Sequence, residues 1–134
     1  MNRYKWLVVL AVSVGCSSGG GSGTDPDPAT QPGPSGATCP SDSTLTYDTF
    51  ASDFFAQYCV RCHSSMLEGT SRHGAPASLN YDTLEGVQAV PAERIDSMAA
   101  AGPAQENSFM PPAAPRPSHA EREQLGEWLA CGRP

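Results

Sequence analysis

The pentapeptide Cys59-Val60-Arg61-Cys62-His63 constrains this chain more than any other segment. Two thiols stand about one helical turn apart, and an imidazole follows the second at once. Directly ahead, Phe50, Phe54 and Tyr58 recur every four positions with Phe55 beside them, which is the apolar face of an amphipathic helix over Thr46 to Tyr58. Thr46 or Asp48 can cap that helix. Whatever the thiols hold must therefore sit against the end of an aromatic helix.

Three chemistries use cysteines at this spacing. A disulfide-exchange pair needs a preceding strand in a βαβ setting, whereas a Phe-rich helix precedes this one. A zinc site could add His73 to Cys59 and Cys62, but it lacks a fourth ligand at regular spacing, and oxidising compartments seldom suit thiolate zinc. Covalent haem attachment needs what is present: each thiol can add to a vinyl group of one porphyrin while the adjacent His63 faces the iron. The expectation is one haem c, bound through Cys59 and Cys62, with His63 as an axial iron ligand.

The second axial position has five candidates: Met66, His73, Met98, Met110 and His119. Met66 follows His63 too closely to reach the opposite face of a porphyrin. Met98 falls on a helix stripe, His73 in a loop on the His63 side, and His119 near an exposed helix start. Met110 lies far along the chain, beside Phe109, in a stretch braced by Pro111 and Pro112, and is the expected ligand.

Compartment and cysteine usage agree. Arg3 and Lys5 precede the apolar run Trp6 to Val12, an export signal too short to span a bilayer. The following Ser13-Val14-Gly15-Cys16 resembles a bacterial lipoprotein signal, which implies cleavage before Cys16 and acylation of its thiol. The resemblance departs at Ser13, where Leu is commoner, and cleavage near Cys16 by an ordinary signal peptidase is the alternative. Residues 1–15 are thus read as signal peptide, and 16–38 as an acylated cysteine with a flexible tether. The tether's Gly, Ser, Thr, Pro and Asp composition buries too little to offset the entropy of ordering. Residues 39–134 form the folding unit, near the common domain size. With Cys16 assigned to lipid and Cys59 and Cys62 to haem, Cys39 and Cys131 remain. They flank the unit, so a disulfide between them would close nearly all of it; two buried free thiols are the alternative. Loss of the signal takes the formal charge from −6 to −8 and leaves Arg as the sole basic residue type. Nucleic-acid binding has no electrostatic footing in such a chain.

The rest reads as helices and stiff loops. Glu68 to Ser78 is a loop, and Asn80–Val90 and Pro91–Ala101 are two short helices, the second opened by Pro91 and stopped by Gly102-Pro103. Asn107 to Pro117 is too proline-rich for helix or central strand. Ser118 and Glu121 form a capping box for a final helix with Leu125, Trp128 and Leu129 on its apolar face. Gly126 inside this helix costs about 1 kcal/mol relative to Ala, which close approach of another helix would justify. No segment alternates as a strand, so the expected class is all-α.

An aromatic helix entering Cys-x-x-Cys-His, a Met-Pro-Pro loop, and a last helix carrying Leu125, Trp128 and Leu129 together resemble a monohaem class I c-type cytochrome over residues 39–134. The resemblance implies a small cytochrome c-like fold of about four helices around one haem. It also implies a crossing of the first and last helices at Gly126, which would bring Cys39 and Cys131 close. A loop carbonyl, here from Gly74-Ala75-Pro76, would accept the His63 Nδ1 proton. Arg72 or Arg94 would meet a haem propionate or else be a solvated surface charge.

A His/Met-ligated iron has no vacant position, so the expected function is single-electron transfer rather than catalysis. The setting would be the periplasmic face of the cell envelope. The expected protein is a lipid-anchored monomer serving redox protein partners. The alternatives are a ligand-binding or catalytic haem module, of gas-sensing or peroxidase type, with a displaceable Met, and a purely structural haem.

Overall fold

The computed structural model describes residues 32–134, and among these the chain is all-α. The expected export signal, the expected acylation site Cys16 and the tether up to residue 31 lie outside the described residues. Four α-helices follow in order: α1, Ser52–Tyr58; α2, Leu84–Gln88; α3, Ala92–Ala99; and α4, His119–Ala130. A π-helical turn, Tyr47–Ala51, leads into α1, and a single 3₁₀ turn, Gly69–Arg72, interrupts the long loop after it.

Both ends of the cavity-forming frame start at reciprocal caps. The Thr46 hydroxyl accepts from the Thr49 backbone N–H at 3.1 Å while the Thr49 hydroxyl accepts from the Thr46 N–H at 2.9 Å. Ser118 and Glu121 make the equivalent pair at the start of α4. α1 and α4 meet through Phe55 and Trp128, whose rings stand edge to face 6.0 Å apart. The Tyr58 hydroxyl adds a bond to the Glu121 carboxylate at 2.8 Å. Phe55, Leu125 and Trp128 are essentially inaccessible to solvent and form the centre of the core.

Two helices are shorter than the hydrophobic pattern predicts, for tertiary reasons. α2 begins only at Leu84, because the Thr83 hydroxyl caps Gly86 and the Tyr81 N–H is drawn to the His63 carbonyl at 2.8 Å. α3 begins after Pro91, which occupies the cap position, and stops at Ala99. Ala100 and Ala101 turn extended, since Ala101 N–H donates to the Arg122 carbonyl of α4 at 2.9 Å and the Ala100 carbonyl accepts from Asn107 N–H at 2.8 Å.

Gly126 is approached closely, but not by a helix. A Cβ at this position would lie 2.5 Å from the Ala101 carbonyl oxygen and 2.8 Å from the Ala37 methyl. Ala37 belongs to residues 33–38, which composition assigned to the tether and which instead pack as part of the domain. Ser35 is fully buried, with its N–H donating to Asp96 Oδ2 at 2.7 Å and its hydroxyl donating to Asp96 Oδ1 at 2.5 Å. Asn107 Nδ2 donates to the Gly33 carbonyl at 2.7 Å. Small side chains that looked like linker are here what lets an extended segment lie against α3 and α4.

Cys39 and Cys131, 92 positions apart in sequence, form a disulfide with their Cα atoms 4.7 Å apart. The chain end is held too: the Pro134 carbonyl accepts from Tyr47 N–H at 2.6 Å and from Trp128 Nε1 at 3.2 Å.

Candidate functional site

α1 ends as its backbone tightens. Cys62 N–H and His63 N–H both donate to the Cys59 carbonyl, at 3.1 and 2.9 Å, so the pentapeptide forms one compact turn on the helix end. Cys59, Cys62 and His63 thereby line one cavity of about 410 Å³, within the size range of ligand pockets, about 300–1,000 Å³. Its walls are mainly apolar: Phe54, Phe55 and Tyr58 from α1, Leu79 from the loop, Ile95 and Met98 from α3, and Leu125 from α4.

Met110 lines the same cavity, delivered by the proline-rich loop. Its N–H donates to the Met98 carbonyl at 2.9 Å and its own carbonyl accepts from Arg122 Nη1 at 3.0 Å, so the backbone is held on both sides. Of the other candidates, Met66 is 85% exposed and His119 is exposed on α4, its Nδ1 2.8 Å from Glu106. His73 sits at the cavity rim in a left-handed backbone conformation, and Met98 lines the wall. Among the described residues, no group of three or more His, Cys, Asp or Glu side chains is arranged to hold a metal ion.

The two thiols are unpaired. Burial pushes the Cys59 thiol up to about 12, against a smaller opposing pull from Arg61 and Arg122. A thiol so held lacks the thiolate character that disulfide exchange depends on. Burial also lowers the basicity of His63, and the bond from its ring to a backbone carbonyl offsets this in part. The imidazole is neutral at neutral pH. Because Nδ1 faces a carbonyl, which can only accept, Nδ1 carries the ring proton and Nε2 keeps its lone pair.

That carbonyl is not in Gly74-Ala75-Pro76, where the resemblance placed it. The acceptor is Leu79, at 3.3 Å from Nδ1. The carbonyls of Ala75 and Pro76 are taken by Arg72, which is neither a surface charge nor a propionate partner. Arg72 is 5% exposed, and its guanidinium donates to Ser64, Leu67, Ala75, Pro76 and Leu79. A guanidinium has five N–H donors, so none remains for an anion. Arg94, by contrast, is exposed at the rim of the cavity.

Arg122 plays the matching part behind Met110. It is 1% exposed, and its Nη1 reaches the carbonyls of Ala99, Asn107 and Met110, with Glu106 3.7 Å from Nε. A third arginine, Arg61 of the pentapeptide, donates to the carbonyls of Ala113 and Ala114 and so ties the thiol turn directly to the Met110 loop. None of these three roles was visible in sequence, where an arginine is by default a surface charge. The only hint was that this domain uses no lysine at all. Comparison of the chain with protein-family models, with curated proteins and with solved structures returned no match.

Proposed function

We propose that the domain binds one haem c covalently through Cys59 and Cys62, with His63 and Met110 as axial ligands, and carries single electrons. The observation that supports this most is the convergence of both thiols, a neutral imidazole with a free Nε2 and a braced thioether on one apolar cavity. The residues fit the group: soft sulfur and imidazole donors for iron, aromatic and aliphatic walls for a porphyrin, and two thiols one turn apart for its vinyl groups. On this reading the four helices form a small cytochrome c-like fold.

When bound, the haem would supply reversible one-electron chemistry. The protein's own contribution is rigidity and exclusion of water. Phe54, Phe55, Leu79 and Leu125 wall the cavity, Leu79 orients His63, and Arg122 with the Met98 carbonyl holds Met110. With Arg72 fully committed, Arg94 is the arginine left to meet a propionate. The wider setting follows the sequence: an exported, lipid-anchored monomer on the periplasmic face, delivering electrons to redox protein partners without acting as an enzyme. The competing reading is a ligand-binding or catalytic haem whose Met is displaceable.

The test is expression with a cytochrome maturation system. The expected protein keeps its haem under denaturing conditions, is reduced reversibly, and in the ferrous state does not bind carbon monoxide at neutral pH. Met110→Ala should open the iron to carbon monoxide, whereas Met98→Ala should not. Loss of haem on denaturation would overturn attachment, and ready carbon monoxide binding by the unaltered protein would favour the ligand-binding module.

A further inference from the structure

The carbonyl that orients His63 has a second donor. Leu79 O accepts from His63 Nδ1 at 3.3 Å and from Arg72 Nη2 at 2.9 Å. A carbonyl oxygen has two lone pairs and accommodates both, but the two bonds are unequal. The cationic donor makes the shorter, charge-assisted one and draws the oxygen's electron density towards itself. The cation is fixed, because its other donors are held by Ser64, Leu67, Ala75 and Pro76. Among the described residues no carboxylate lies within ion-pair distance of Arg72. Its charge is solvated by backbone dipoles but not cancelled, at a 5% exposed position where water screens poorly.

We propose that Arg72 is a positioning residue that sets the electron-donating strength of His63, and hence the reduction potential of the centre, by sharing the Leu79 carbonyl with the His63 Nδ1 proton. This rests on His63 being the axial ligand. Two effects act in one direction. A carbonyl already engaged by a cation is a weaker acceptor, so Nδ1 keeps its proton and the ring stays a plain imidazole rather than gaining imidazolate character. The hydrogen bonds to an axial ligand are a recognised lever on potential. The uncancelled positive charge also disfavours the oxidised iron, which carries one more positive charge than the reduced. Both the weaker donation and the Coulomb effect raise the potential, and the fixed carbonyl prevents ring rotation that would blur either.

The experiment compares Arg72→Gln and Arg72→Lys with the unaltered full chain. In the haem-loaded protein Arg72→Gln should shift the one-electron reduction equilibrium at least about tenfold towards oxidised, about 59 mV downward. Arg72→Lys, which keeps the charge with fewer donors, should recover most of that shift. A purely structural role would lower thermal stability in both variants and leave the potential of each unmoved, and that result would overturn the proposal. The second arm uses apoprotein and ¹⁵N NMR of the His63 ring. The expected result is a single Nδ1–H tautomer at neutral pH in the unaltered chain and in Arg72→Lys. An Nε2–H tautomer, or an averaged ring, would overturn it even if Arg72→Gln does not fold. If no haem attaches at all, the functional reading fails while this arm still decides whether the Leu79 carbonyl holds the His63 Nδ1 proton, the contact on which the role of Arg72 depends.

Discussion

Replacing Gly126 by Ala sets a local preference against a tertiary contact, and the structure decides the sign. Helix propensity alone favours Ala by about 1 kcal/mol. Against this, the new methyl would lie 2.5 Å from the Ala101 carbonyl oxygen and 2.8 Å from the Ala37 methyl. Neither neighbour can yield alone. Ala101 is tied through its N–H to the Arg122 carbonyl at 2.9 Å, and Ala37 follows Ser35, which both its N–H and its hydroxyl bind to Asp96. Overpacking a well-filled site costs about 1–3 kcal/mol. Two clashes, one with backbone, place this site in the upper half of that range. The expected net effect of Gly126→Ala is a destabilisation of about 1–2 kcal/mol. For a domain of this size that is a fall in Tm of roughly 4–16 °C, at about 4–8 °C per kcal/mol. Thermal unfolding followed by circular dichroism, with the disulfide intact, measures it. Adding Ala37→Gly should recover part of the loss but not all, because the Ala101 carbonyl remains. A variant about 1 kcal/mol more stable than the parent would refute the close approach, and with it the docking of residues 33–38.

The disulfide, tying positions 92 apart, should contribute about 4–5 kcal/mol by the loop-entropy model. Guanidinium midpoints of the parent and of Cys39→Ser with Cys131→Ser measure it, and equal midpoints would remove the assignment. Asp82 is held below the ordinary carboxylate value of 3.8, first by the Ser65 hydroxyl. A carboxyl whose pKa falls on folding adds stability above its unfolded value and loses it as pH drops through the folded one. Asp82→Asn should therefore flatten the acid limb of the Tm–pH profile, and parallel profiles would count against the Ser65 contact. Arg122→Met strands the carbonyls of Ala99, Asn107 and Met110, and should cost about 1–3 kcal/mol for each acceptor left buried without a donor. On the proposed haem-binding reading, the variant's haem-loaded form should also bind carbon monoxide through a slackened Met110 loop; unaltered stability together with no carbon monoxide binding would exclude the bracing role.

What was legible in sequence was local or arithmetical. The Ser118 and Glu121 cap, the aromatic stripe into Cys59 and the Cys39–Cys131 pairing each follow from spacing or from counting thiols, and the structure contains all three. What escaped depends on groups that every residue has. Arg72 and Arg122 bond backbone carbonyls, which leave no mark on a sequence, and the start of α2 is set by the Tyr81 N–H reaching His63. Residues 33–38 were misread because the composition that denies a segment its own core also lets it nest in someone else's. In the candidate site, the thiols, His63 and Met110 converge on one cavity, whereas the contacts that hold His63 and Met110 in place run through backbone carbonyls and leave no mark on the sequence.

The clasp around Arg72 has a consequence for how the loop tolerates change. The loop from Ser64 to Leu79 presents only its main chain to the guanidinium. Side chains such as Thr70, Ala77 and Ser78, all exposed, can therefore be exchanged without touching what gives the loop its shape. Within this loop the guanidinium carries most of the tertiary instruction. Random mutagenesis of the segment should find Arg72 intolerant and positions such as Thr70, Ala77 and Ser78 permissive, with the buried Leu79 and the positive-φ Gly69 and Gly74 constrained for their own reasons.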